Sequence, residues 1–102
     1  MAFSDVFRRR TPWTLVDAVE RHRLAPDTFR IPSDEATAAL RVGDQVKVVV
    51  EPDTGLVERV WLTVAAVDDL VGTLNTDAVE LHGLRAGDRV PFERRHVIAI
   101  RR

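Results

Sequence analysis

The sequence predicts an α+β domain, with N-terminal helices followed by a five-stranded, strongly bent antiparallel sheet or small open β-barrel. Three observations carry that expectation. Residues 1–42 hold two helix-start signals, Thr11-Pro12 and Ser33-Asp34-Glu35, of the kind that precede apolar residues at helical spacing. Beyond Gly43 the apolar residues fall into short alternating runs broken by turn residues, the period-2 signature of half-buried strands. The heptapeptide Leu-Arg-x-Gly-Asp-x-Val occurs twice, at Leu40 to Val46 and at Leu84 to Val90. In each copy a glycine free to adopt φ > 0 and an aspartate able to bond nearby backbone N–H groups make a turn that launches a strand.

The elements come in order. Met1 to Arg10 places Phe3, Val6 and Phe7 before three arginines, a docked or frayed terminus rather than a membrane contact, because so short an amphipathic segment binds weakly. Thr11 and Pro12 are expected as N-cap and first helical residue, with Trp13, Val16 and Val19 as an apolar stripe packing on the sheet and Pro26 ending the helix around His22 to Leu24. Phe29 to Pro32 is extended. Ser33 then caps a short helix from Asp34 to Leu40, its acidic first turn suited to the helix dipole. Gln45 to Glu51 alternates with Val46, Val48 and Val50 on one face. Pro52-Asp53-Thr54-Gly55 is a turn. Val57 to Val67 is the longest run and is expected to be buried on both faces, and Leu70 to Leu74 returns as a hairpin. Asn75 to Asp77 is loop, and Ala78 to Leu81 is a short strand or turn. Val90 and Phe92 point inward, and Glu93-Arg94-Arg95 turns the chain into a final strand, His96 to Ile100.

With 102 residues there is room for one domain and one core, divided into a helical part (1–42) and a β core (43–102). A formal net charge of −1 disfavours a dedicated nucleic-acid binder, which ordinarily carries a basic excess. The chain has no cysteine, which excludes disulfides, thiolate zinc sites and a cysteine nucleophile. No apolar run approaches the roughly 20 residues of a membrane span, and Arg8 to Arg10 follow the apolar residues rather than precede them, unlike a signal peptide. A cytoplasmic protein without cofactor or metal is expected. Lys47 is the sole lysine, as in a genome biased towards arginine codons.

The series Phe29-x-Ile31-Pro32-Ser33, Gly43-Asp44-x-Val46-Lys47, Glu58-Arg59-x-Trp61-Leu62-x-Val64, Gly72-x-Leu74-Asn75, Gly87-Asp88-x-Val90-x-Phe92 and His96-Val97 resembles a bacterial family of small domains, catalogued as domain-of-unknown-function family twenty-three-fourteen. The resemblance covers roughly Phe29 to Ile100, and the order of the pieces is its most specific part. Val60 stands where that family usually has Met, and Thr76-Asp77 follows Asn75 where a proline is more usual. The resemblance implies a small β-rich module, in some members attached to toxin-immunity or regulatory contexts, and no assigned activity.

Candidate site residues are few. Arg59 and Trp61 share a strand face, where an arginine beside an indole can hold an anionic or planar ligand; a core tryptophan under a snorkelling arginine is the plainer expectation. Glu58 is out of phase with them. Asn75 and Asp77 could take a cation or a ligand hydroxyl, although such residues mostly satisfy their own backbone. His96, expected on the face of Ile98 and Ile100, could act as a base or a pH-sensitive donor. Arg94 and Arg95 could converge with Arg101 and Arg102 into a positive patch. His22 and His82 complete no metal-ligand spacing, and no nucleophile elbow or phosphate loop is present. The leading expectation is a non-catalytic interaction module with a protein partner. The alternatives are a small barrel binding nucleic acid or an anionic ligand through Arg59, Arg94 and Arg95, and an enzyme using Glu58, Asn75 or His96.

Overall fold

The computed structural model describes residues 13–53, 56–77 and 84–102. The expected Thr11-Pro12 helix start, Gly55 in its turn, Ala78 to Leu81 and the Met1 to Arg10 segment lie outside them. The described elements are β1 (Trp13–Leu15), α1 (Ala18–Leu24), α2 (Asp34–Ala38), β2 (Gln45–Pro52), β3 (Glu58–Ala66), β4 (Val71–Leu74), β5 (Arg89–Pro91), a 3₁₀ turn (Arg94–His96) and β6 (Ala99–Arg101). They form an α+β fold around one curled antiparallel sheet.

Alternation makes the sheet one-sided. β2 pairs with β3 from Gln45↔Thr63 to Val50↔Glu58, β3 with β4 from Leu62↔Leu74 to Ala66↔Val71, and β4 with β5 through Gly72↔Val90. On one face these registers align Val46, Val48, Val50, Val60, Leu62, Val64, Leu74 and Val90, all buried, with Leu40, Leu84, Phe92 and Val97 completing the core. Leu62 is fully buried, and truncating such a residue to alanine costs about 2–5 kcal/mol. A register shift between Val64 and Ala66 bends β3, as an extra residue in one strand does. Gly72 lies where β4 approaches β3 closely: a Cβ there would sit 2.7 Å from the Leu62 Cβ, so only glycine fits without a shift.

Five expectations need correction. The first helix begins later, because Trp13, Thr14 and Leu15 add to the free edge of β2 (Trp13↔Pro52, Leu15↔Val50), where an aromatic, a β-branched and an apolar residue suit a strand. The N-cap of α1 is Asp17, whose Oδ1 accepts from Glu20 N–H at 3.1 Å. Its apolar stripe is absent, since Val19 is 50% exposed and Ala18 is the one buried residue of α1. Among the described residues the sheet therefore has six strands, with β1 preceding the helices and β6 sharing the same edge of β2 farther along (Val46↔Ile100). β3 is buried on one face only, as Trp61, Thr63 and Ala65 are half-exposed. The last strand starts at Ala99, and His96 sits in the 3₁₀ turn.

Other expectations hold. Ser33 Oγ accepts from Ala36 N–H at 3.1 Å, capping α2, and α1 ends at Leu24 before Pro26. Val90 and Phe92 point inward. Among the described residues no helix is long and apolar enough to cross a membrane.

Candidate functional site on the outer face of the sheet

The face turned away from the core is read directly from strand parity. The registers place Arg101, Gln45, Thr63, Thr73 and Arg89 in one continuous row across β6, β2, β3, β4 and β5. The next positions along give Ala99, Lys47 and Trp61, followed by Asn75, whose N–H donates to the Trp61 carbonyl at 3.1 Å. Arg59 lies one step beyond, opposite Val49.

Trp61 organises this face. Trp61 of β3 and Arg101 of β6 meet from either side of β2, with the Arg101 guanidinium 4.0 Å from the ring centroid, and the Lys47 ammonium lies 5.4 Å from it. Both distances fall within cation–π range. Arg101 Nε also donates to Gln45 Oε1 at 2.5 Å, which fixes the guanidinium over the indole. The expected partner, Arg59, shares the face but is not one of these ring contacts, and it is exposed. Trp61 is thus neither a core residue nor an open aromatic platform. It is half-buried beneath two cations. Lys47 is the site residue that the sequence reasoning missed, and Arg101 lies over Trp61 rather than beside Arg94 and Arg95 as expected; the signal for Lys47 was parity, since it falls on the polar phase of an alternating strand.

Charge on this face is predominantly positive. Among the described residues Lys47, Arg59, Arg89 and Arg101 occupy its strand positions, and Glu51, 3.7 Å from Arg21, is the one carboxylate there. A chain of net charge −1 therefore carries a cationic sheet face, which concentrates field where the average shows none.

The remaining expected site residues have structural partners. Asn75 Oδ1 accepts from Thr63 Oγ1 at 2.7 Å, tying the end of β4 to β3 on the outer face. Asp77 Oδ1 accepts from Ala86 N–H at 2.9 Å, which holds the loop to the second Gly-Asp turn. Arg94 Nε donates to the Thr37 carbonyl at 3.3 Å. Arg95 lies 3.2 Å from Asp17 and 3.4 Å from Glu93. Arg94 and Arg95 thus anchor the helices to the 3₁₀ turn, and the expected positive patch shared with Arg101 and Arg102 does not form; Arg102 is 3.7 Å from Asp44 instead. His96 Nδ1 accepts from Glu93 N–H at 2.9 Å. Burial holds the His96 imidazole below its usual pKa, against the raising pull of Glu93 and Asp17 and together with the lowering effect of Arg95. Glu58 lies opposite Val50, in the phase of the core face. Glu58, Asn75 and His96 are consequently not gathered into one constellation: the first two occupy opposite faces of the sheet, and the third lies on the 3₁₀ turn.

A cleft of about 840 Å³ opens between the helices, the β3–β4 turn and the 3₁₀ turn, lined by Asp17, Glu20, Asp68, Leu70, Phe92 and Arg95 among others. Part of its acidic rim is internally neutralised, through Asp17 with Arg95 and Glu20 with Arg23. Among the described residues no group of three or more His, Asp or Glu side chains could hold a metal ion. No protein-family model, curated protein or solved structure matches the chain.

Proposed function

We propose that this protein is a non-catalytic binding module of the bacterial cytoplasm that engages a protein partner through the outer face of its sheet. The observation that carries this reading is the cationic face itself: Lys47 and Arg101 over Trp61, flanked by Arg59 and Arg89, with the one carboxylate in its strand positions beside Arg21. Protein interfaces favour Trp and Arg at their centres, because both contribute large contact area together with directional bonding. Charge on one face also steers an oppositely charged partner into register. The order of the sequence motifs further supports membership of the bacterial family of small domains that they resemble.

The experiment is affinity capture with the wild-type protein and with a Lys47→Glu, Arg59→Glu variant from an extract of the source organism. Each captured protein is then rebuilt from purified components. Binding retained by the wild type and lost by the variant supports the reading, provided the two proteins unfold at similar temperatures. Capture unaffected by the double charge reversal removes the outer face as the recognition surface. A complex with nucleic acid in place of protein, weakening steeply as salt rises, would move the module to the phosphate-binding class.

A further inference from the structure

We propose that the partner presents an extended acidic segment lying across the strands, with one carboxylate on Arg101 and another on Arg89. The proposal rests on the outer face being the recognition surface and adds the chemistry and spacing of what it recognises. Its basis is the continuous row Arg101, Gln45, Thr63, Thr73, Arg89. The row crosses four strand-to-strand steps, and with neighbours about 4.8 Å apart the backbone positions of its two arginines are about 19 Å apart measured along the curled sheet. The residues between them are uncharged and half-buried; a backbone passing over meets the Gln45 amide N–H groups, the Thr73 hydroxyl and the oxygen of Thr63 as acceptor, since Gln45 Oε1 already accepts from Arg101 and the Thr63 proton goes to Asn75. An extended chain advances about 3.3 Å per residue, so two acidic side chains roughly six residues apart reach both arginines. An even separation also puts them on the same side of the segment.

Single-stranded nucleic acid fits this row less well. It carries a charge on every nucleotide and gains much of its affinity from bases stacked on open aromatic rings. Here the middle of the row is neutral, and the Arg101 guanidinium already lies 4.0 Å from the centroid of the Trp61 ring. Two separated cations with a polar, uncharged span between them match a peptide with two separated carboxylates.

The test uses fluorescence anisotropy with three labelled probes: the peptide Gly-Ser-Glu-Thr-Val-Thr-Val-Thr-Glu-Ser-Gly, an isomer of identical composition with its glutamates adjacent, and a twelve-nucleotide oligothymidylate. The first peptide is expected to bind most tightly. Arg89→Gln and Arg101→Gln should each weaken it about two- to fivefold, as removal of one exposed ion pair does, and should erase its preference over the isomer. Because Arg101 also covers Trp61, Arg101→Lys provides the control: it keeps the charge and should keep most of the binding. Equal affinity for the two peptides, or indifference to Arg89→Gln, overturns the proposal. Tighter binding of oligothymidylate, weakened by the same substitutions, overturns it while leaving the outer face as the recognition surface. Failure of every probe to bind also overturns it, and the capture experiment with Lys47→Glu, Arg59→Glu then decides separately whether the face recognises anything.

Discussion

The two Leu-Arg-x-Gly-Asp-x-Val segments fold alike. In the first, Arg41 N–H donates to Asp44 Oδ2 at 3.0 Å, and Asp44 N–H returns to the Arg41 carbonyl at 3.0 Å. In the second, Arg85 N–H donates to Asp88 Oδ2 at 2.9 Å, and Asp88 N–H to the Arg85 carbonyl at 3.0 Å. Gly43 and Gly87 adopt φ of 97° and 90°, and Leu40 and Leu84 are both buried. Each turn then grips one strand of the same hairpin with a pair of bonds. Gly43 N–H reaches the Val64 carbonyl at 2.9 Å and Val64 N–H the Asp44 carbonyl at 2.8 Å; Gly87 N–H reaches the Leu74 carbonyl at 2.7 Å and Leu74 N–H the Asp88 carbonyl at 2.9 Å. The strands launched from the two turns differ in length. β2 runs eight residues and β5 three. The launch is local, but strand length depends on neighbours: β2 has β3 on one side and β1 with β6 on the other, whereas β5 pairs with β4 alone among the described strands and ends at Pro91, a residue suited to an edge. The aspartates differ too, since Asp44 is 7% exposed and 3.7 Å from Arg102, while Asp88 is half-exposed.

The comparison breaks most severely at the glycines. A Cβ would meet nothing within 4 Å at either Gly43 or Gly87, so alanine brings backbone strain without a clash. Gly43→Ala and Gly87→Ala are each expected to lose about 1–3 kcal/mol, by similar amounts, measured as urea midpoints. A large inequality would mean that the turns are not energetically equivalent. The aspartates should separate them. Asp44→Ala breaks a part-buried bond from Arg41 N–H and should cost about 1–3 kcal/mol; Asp88→Ala breaks an exposed one, where water can replace the carboxylate at Arg85 N–H, and should cost about 1 kcal/mol or less. Equal losses would show that the burial of Asp44 contributes nothing.

A smaller effect tests the third partner. Arg102→Gln removes the 3.7 Å contact with Asp44. The Arg102 side chain is 46% exposed, so the expected loss is at most about 1 kcal/mol and shrinks as salt rises. The same substitution in an Asp44→Ala background should do nothing. A persistent effect there would give Arg102 a different role.

The turns were legible in the sequence because everything that defines them is local: a glycine, an aspartate and a buried leucine within seven residues. Ser33 as a cap was legible for the same reason. The first helix was misplaced because Trp13 to Leu15 is settled by a partner far along the chain, the free edge of β2 at Val50 to Pro52. The site divided along the same line. Strand alternation put Arg59 and Trp61 on one face, but the cations over the indole come from β2 and from β6, and their approach depends on two registers that no single run of residues encodes. Arg94 and Arg95 read as free charge because their partners, Thr37, Asp17 and Glu93, include residues more than fifty positions away.

The smallest predicted effect is one of pH, confined to the second half of the molecule. The first turn leads straight into a long strand, whereas the second needs the 3₁₀ turn to bring the chain back to the edge of β2. That turn uses His96 as its cap: Nδ1 accepts from Glu93 N–H at 2.9 Å, which requires that nitrogen to be unprotonated. Burial acts in the same direction and lowers the folded-state pKa from 6.5, outweighing the Glu93 and Asp17 carboxylates. The unfolded chain, with an ordinary histidine, takes up the proton first as pH falls. The stability due to His96 is therefore complete above about pH 6.5 and declines as pH drops through that value towards the lower folded one. Urea midpoints between about pH 8 and pH 5 should fall more in the wild type than in His96→Gln, whose amide oxygen can accept from Glu93 N–H without titrating. Amide exchange should locate the loss at Val97 and Ile98, whose N–H groups bond the Arg94 and Lys47 carbonyls, and spare Gly43 and Asp44. Parallel pH profiles for the two proteins would mean that the 3₁₀ turn is held by Arg94 and Arg95 alone.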